Sequence, residues 1–290
     1  MHPAPSVIVF TTLSGLGFGL LAFLGLGMPD VTGGVAFLFF ALGYALAVGG
    51  LLAATFHLGN KKNATKAFSQ WRTSWLSREG VASVAALLVM APFAIGRIFL
   101  GVDLTALGWI GALLSLGTVF TTSMIYAQLT TVPRWNMRWT PVLFLTHALA
   151  GGALLAGQIT AAAILLAVLG LILILSWRQG DAQFDESGAS LETATGLGSI
   201  GTVRQLEPPH SGQNYLLKEM AYQVGRKHSA KLRAIALGLG VVLPVLCLTV
   251  LPFSHMIALV AVLSHIAGVA AGRWLFFAEA KHVVSLYYGR

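Results

Sequence analysis

Two residues, His57 and Glu79, carry the proton chemistry that stands out in this chain. An imidazole titrates near neutral pH and a carboxylate beside it can take or release a proton, which is the pairing that general acid–base work requires. His57 closes one long apolar run and Glu79 opens the next. The stretch around them, FHLGNKKNATKAFSQWRTSWLSRE, holds Lys61, Lys62, Lys66, Arg72 and Arg78, five of the 18 basic residues. If both runs cross a membrane, the chain leaves and re-enters on one face, so His57 and Glu79 meet at one depth. The alternative is that both are solvated helix ends, with Glu79 an acid favouring the amino terminus of its helix. Trp71 and Trp75 are spaced to share one helical face, as walls of a pocket or as an interfacial aromatic belt. Arg78 suits a ligand headgroup or a lipid phosphate. The three lysines read as a docking and orientation surface.

These residues need elements that hold them, and composition says which. Apolar residues make up 56% of the chain and charged ones only 10%, too greasy for a water-facing shell around a domain of 290 residues. The expected fold is all-α, a bundle of eight transmembrane helices. Eight runs reach about the 20 residues that span a bilayer, near 7–26, 35–56, 81–100, 104–129, 141–156, 159–177, 235–253 and 255–277. The fifth is the shortest. Barrel strands would alternate in short segments, whereas these runs are apolar on every side. A single membrane domain, 1–290, is expected, with loops at 57–80 and 178–233. The opening MHPAPS lacks the basic start and cleavage site of a signal peptide, so Met1 reads as the mature end.

The net charge of +8 does not point to nucleic acid, because the basic residues are confined to loops between apolar runs. All but Arg97 of the 18 fall on the side of the amino terminus. That lopsidedness orients both termini and the 57–80 loop toward the cytoplasm. In the second loop, NYLLKEMAYQVGRKHSAKLR places Leu216, Met220 and Val224 on one stripe, which suits a partner or the membrane surface. The lone cysteine, Cys247, excludes an internal disulfide and an iron–sulfur cluster of this chain's own, which needs about four thiolates.

Polar groups inside the spans are costly and often functional. His147 and His265 are the candidates for haem b, which needs two histidines at matched depth on neighbouring helices. His147 falls nearer the inner end and His265 near mid-membrane, which argues for hydrogen bonds between helices instead. Arg273, Glu279 and His282 lie close enough in sequence to bind one another as a salt-bridged anchor.

The combination of FHLG, the basic-aromatic stretch and SWLSRE, together with the tail GRWLFFAEAKHVVSLYYG, resembles the membrane anchor subunits of the DMSO reductase family. The resemblance covers essentially the whole chain. It implies a subunit that holds a molybdopterin catalytic subunit and a four-cluster iron–sulfur subunit on the bacterial inner membrane and exchanges electrons with quinone. By the same resemblance His57 and Glu79 are quinone-site residues, with Trp71, Trp75 and Arg78 around them. The opening HPAPSVIVFTTLSGLGFGLL is similar to the branch of cytoplasmic sulfite-oxidising complexes that pass electrons to ubiquinone. A quinol-oxidising anchor of the DMSO reductase type is the alternative, and a small-solute transporter the reading from a different class.

Overall fold

The long apolar runs leave the backbone only one way to satisfy itself in lipid, and the chain takes it. The computed structural model describes residues 1–56, 68–102, 104–207, 209–210, 212, 214–220, 227–252 and 254–288, and among these there is no strand. Intrahelical bonding meets every N–H and C=O without water, which is why a span is a helix. The helices are α1 (Pro5–Gly25), α2 (Gly33–Thr55), α3 (Trp75–Ile95), α4 (Thr105–Ala127), α5 (Trp139–Leu155), α6 (Ile159–Glu186), α7 (Leu191–Thr195), α8 (Ser229–Leu237), α9 (Leu243–Thr249) and α10 (His255–Ala278).

Seven segments are long and apolar enough to cross a membrane, α8 and α9 together forming one of them. The eighth apolar helix, α5, has 17 residues. It compensates for its length by position, since α1, α4 and α6 surround it. The chain is a multi-pass membrane protein.

At the centre stands α1, 72% of whose apolar window is buried against 28% for α2. Without a hydrophobic drive between helices in lipid, close approach through small residues holds such a bundle. Gly19 of α1 meets Ala148 and Gly152 of α5 backbone to backbone, so a methyl group at Gly19 would overlap the Ala148 carbonyl. The α1 helix also packs on α2 and α4, while α3 and α4 form a second close pair.

Three boundaries differ from the sequence expectation. The third span starts at Trp75, inside the expected 57–80 loop, so Trp75, Arg78 and Glu79 are helical. The sixth continues past Trp177 to Glu186, because RQGDAQFDE keeps helical hydrogen bonding without an apolar face. The seventh begins at Ser229 and passes through a π turn, Gly238–Val242, before α9. Another π turn, Gly96–Leu100, follows Pro92, whose missing N–H disturbs the regular ladder of α3.

The amino terminus, the loop after α4, the segment after α6 and the tail gather on one face. The Met1 ammonium donates to the Ala280 carbonyl, and the His2 N–H to Glu219 O at 2.7 Å. The tail is tied down by Val283 N–H to Thr131 O at 2.9 Å, by Tyr287 Oη to Ala194 O at 2.7 Å and by Gln205 Nε2 to Tyr287 O at 2.7 Å. Leu216 and Met220 are half-buried there, in a π turn. Val224 lies outside the described residues.

Candidate functional site

Glu79 sits one turn into α3, at the end of the bundle where the loops gather. Trp75 and Glu79, four apart, turn toward α4. The Trp75 ring meets Phe120 edge-to-face at 6.1 Å, and the Glu79 carboxyl is in hydrogen-bond contact with the Thr122 hydroxyl. Glu79 is only 5% exposed. This burial speaks against the alternative of a solvated helix end for Glu79, because α4 covers the face that an isolated helix end would leave open.

The Thr122 hydroxyl also reaches the Thr118 carbonyl at 2.9 Å. A hydroxyl has one proton to give. With Glu79 ionised, Thr122 donates to the carboxylate. When Glu79 is protonated its hydroxyl donates to Thr122, and Thr122 donates to Thr118 O. The pair therefore satisfies either protonation state without moving a helix, which suits a group that takes up and releases a proton. Tyr126, on the next turn of α4, lies near both Glu79 and Arg273.

Arg78 faces away from this pair. Its guanidinium covers the Trp75 ring at 4.3 Å, while Nε donates to Trp71 O at 3.0 Å and Nη2 to Arg72 O at 2.7 Å. It thus staples the turn before α3 onto the helix. Trp71 belongs to that turn and is 53% exposed, so the two tryptophans do not share one helical face. The structure brings Trp71, Trp75 and Arg78 together at the rim and sets Glu79 inside. His57, Lys61, Lys62 and Lys66 lie outside the described residues.

A second polar group occupies the same end of the bundle. Arg134, between α4 and α5, donates to Asp181 at 2.8 Å and to Glu279 at 2.7 Å. Arg233 of α8 donates to Asp181 at 2.6 and 2.8 Å and to Glu279 at 2.8 Å. Two arginines and two acids thus tie α6, α8 and α10 to the loop after α4. Glu279 does form a salt-bridged anchor, but with Arg134 and Arg233 in place of Arg273 and His282. Arg273 instead lies over the Phe144 ring at 3.7 Å. His282 accepts from the Val284 N–H at 3.0 Å, and burial, then the Met1 ammonium, holds its imidazole below the ordinary histidine range.

The intramembrane histidines are both engaged at Nδ1. His147 contacts Leu143 O of its own helix at 2.8 Å, and His265 contacts Gly240 O of the neighbouring π turn at 2.6 Å. The helix-to-helix bond expected for such a histidine is therefore made by His265, whereas that of His147 stays within α5. Among the described residues no group of three or more His, Cys, Asp or Glu side chains is arranged to hold a metal ion.

Thr122 and Tyr126 escaped the sequence reading. Their signal was present as the spacing of Thr118, Thr122 and Tyr126, one polar face along α4. The partners of Arg134 and Arg233 left no such signal, because they are joined only by the packing of distant helices.

The family model described as the DMSO reductase anchor subunit (DmsC) matches residues 1–289. The chain belongs to this family. Among its relatives, a subunit of the sulfite dehydrogenase of Allochromatium vinosum is 31% identical over 325 aligned positions, covering 99% of each chain. No solved structure matches this anchor subunit. Its place is therefore beside the catalytic subunits of an oxidoreductase complex at the membrane.

Proposed function

We propose that this anchor subunit links a molybdopterin catalytic subunit, through a four-cluster iron–sulfur subunit, to the quinone pool, and that the complex passes electrons from cytoplasmic sulfite oxidation to ubiquinone. The observation that carries the reading is its end-to-end similarity to a sulfite dehydrogenase subunit, at 99% of both chains. The confinement of all basic residues but Arg97 to one side supports a cytoplasmic placement of both termini in the bacterial inner membrane. The loop-rich face, where Met1, residue Glu219 and the tail interlock, is the surface on which the iron–sulfur subunit docks.

Quinone binds where α2 ends and α3 begins. Reduction of its headgroup takes two electrons from the docked subunit and two protons. His57 and the Glu79–Thr122 pair supply them, with Trp71 and Trp75 walling the approach and Arg78 holding the rim. Conversion of sulfite to sulfate with water releases two protons and two electrons. If both half-reactions face the cytoplasm, turnover moves no net charge across the membrane. Quinone is the only cofactor assigned to this chain; molybdopterin and iron–sulfur clusters belong to the partner subunits.

The family name itself favours a second reading, a quinol-oxidising anchor of a DMSO reductase-type complex running the same site in reverse. A transporter is disfavoured, since the charged side chains buried in the described spans, Glu79 and Arg273, lie near helix ends and not at a broken midplane.

The test uses the purified complex. His57→Ala and Glu79→Gln should leave molybdenum and iron content, and sulfite oxidation with an artificial acceptor, at the level of the unaltered complex. Sulfite-dependent ubiquinone reduction should fall at least tenfold. Quinone reduction at the unaltered rate in both variants would overturn the site. Absence of sulfite oxidation together with quinol-driven reductase activity would replace the first reading by the second.

A further inference from the structure

The helices around the Glu79–Thr122 pair leave one seam unpacked. The α1 helix packs along α2 and along α4, and α4 packs along α3, whereas α2 and α3 meet only sparsely. They meet at mid-span and at the end away from the termini. There the Phe40 and Phe93 rings touch edge-to-face at 5.9 Å, and the Tyr44 hydroxyl donates to Leu87 O at 2.8 Å. The π turn Gly96–Leu100 lies against α2 at the same end.

Toward the loop-rich end the facing rows are bare. On α2 the residues that follow Tyr44 at helical spacing are Val48, Leu52 and Thr55; on α3 those that precede Leu87 are Val84, Gly80 and Leu76. Two packed helices would bury both rows between them. Val48, Leu52 and Thr55 are exposed instead, and so are Val84 and Leu76. The seam therefore has mostly apolar walls and leads along α3 to the turn that carries Glu79. At that turn Phe68, from the segment before α3, lies on Gly80, so close that a Cβ there would stand 3.1 Å from its ring.

Helices in lipid are held by close packing, since lipid tails are as apolar as leucine and supply no drive of their own. A row left unpacked is filled by hydrocarbon, and the polar group at its inner end says which kind. A phospholipid keeps its phosphate among the headgroups and has no use for a buried carboxyl one turn inside α3. A quinone pairs a polar ring with a branched apolar tail that must run out into the bilayer, which is the order of surfaces along this seam.

We propose that the α2–α3 seam is the lateral portal of the quinone site, with the isoprenoid tail lying between Val48 and Leu52 of α2 and Val84 and Leu76 of α3. The ring then reaches the turn where Phe68 covers Gly80, beside Glu79. The portal rests on the quinone reading above and adds to it the path of entry and the part of the ligand that path admits. Hydrocarbon in the seam replaces hydrocarbon in lipid, so the seam acts by admitting the tail and not by adding affinity for it.

The experiment uses the purified complex with two acceptors, a ubiquinone carrying two isoprene units and the tail-less ubiquinone ring. Val48→Trp and Val84→Trp fill the seam from opposite walls, and Leu38→Trp, on the exposed face of α2 near its other end, is the control. Each seam variant should raise KM for the tailed quinone at least fivefold and leave that for the tail-less ring within twofold. Sulfite oxidation with an artificial acceptor should be unchanged, and the control should alter neither KM. An unchanged KM for the tailed quinone in both seam variants would mean that the seam holds only bilayer lipid, and would overturn the portal. So would an equal rise for both acceptors, which a disturbed ring site would give. Failure of the unaltered complex to exchange electrons with either quinone would instead overturn the quinone reading, and the portal with it.

Discussion

Glu279→Gln should cost this protein far more than Asp181→Asn, although both acids contact the same two arginines. The difference lies in burial. The Glu279 side chain is 5% exposed and its partners Arg134 and Arg233 are 12% and 23% exposed, whereas Asp181 is 50% exposed. Removing one member of a buried pair leaves the others uncompensated, at a cost of about 3 kcal/mol, the lower end of the range for such breaks. Here two guanidinium groups lose their inner counter-charge, one of them faces an amide NH2 donor in place of an acceptor oxygen, and Arg273 nearby adds like charge. A half-exposed partner is screened by water, which limits Asp181→Asn to at most about 1 kcal/mol. For a chain of this size each kcal/mol moves the unfolding midpoint by about 2–4 °C, giving a fall of about 6–12 °C for Glu279→Gln and under about 4 °C for Asp181→Asn. Both variants are scanned in detergent at one fixed rate beside the unaltered chain, since unfolding of such proteins is rarely reversible. Equal losses, or a Glu279→Gln midpoint within about 2 °C of the unaltered chain, would refute the assignment of the stabilising contact to the inner acid.

Further outcomes follow from other contacts. Thr122→Val removes the hydroxyl on which either protonation state of Glu79 relies, so quinone-linked turnover should drop several-fold while artificial-acceptor activity persists, read by the two assays side by side. Gly19→Leu should drive α1 off α5, and an inserted but protease-sensitive chain is the expected result; unchanged protease resistance would contradict the close approach. His282 has its proton affinity depressed in the fold, so the unfolded chain binds the extra proton more readily: the contribution is present above about pH 6.5 and lost as pH falls below it through the folded value. Limited proteolysis of the tail should therefore quicken between neutral pH and pH values below about 6, and His282→Gln should abolish that dependence. Reporter fusions at Arg290 and in the 27–34 loop should register cytoplasmic and exported positions respectively; an exported carboxyl end would reverse the orientation.

Much of the fold was legible because lipid leaves the backbone little choice. Seven of the eight apolar runs became segments long and apolar enough to cross a membrane, and the shortest run became the 17-residue α5. Boundaries went astray where helix and greasiness part company. SWLSRE and RQGDAQFDE carry polar residues yet continue a helix, since hydrogen bonding within the helix does not require an apolar face. Glu79 could be singled out from its position at a span end. Its burial could not, because that depends on α4, a separate helix that brings Thr122 onto it. The same holds for Glu279. Proximity along the chain suggested Arg273 and His282 as partners, whereas packing delivered Arg134 from a loop 145 residues away.

The π turn at Gly238–Val242 also sets a phase. A π turn accommodates about one residue more than the α-helix it replaces, and each α-helical residue turns the chain by about 100°. The half of the span that holds Arg233 is thereby rotated relative to the half that packs deeper on α6 and α10. The spare backbone acceptors of the turn are taken up by Ser264 Oγ, donating to Leu239 O at 2.7 Å, and by His265, at Gly240 O. Removing a single residue from 238–242 would yield a straighter, more regular helix whose upper half is out of step. Arg233 would then point away from Asp181 and Glu279, so a local gain in regularity would be lost again at the far end of the same helix.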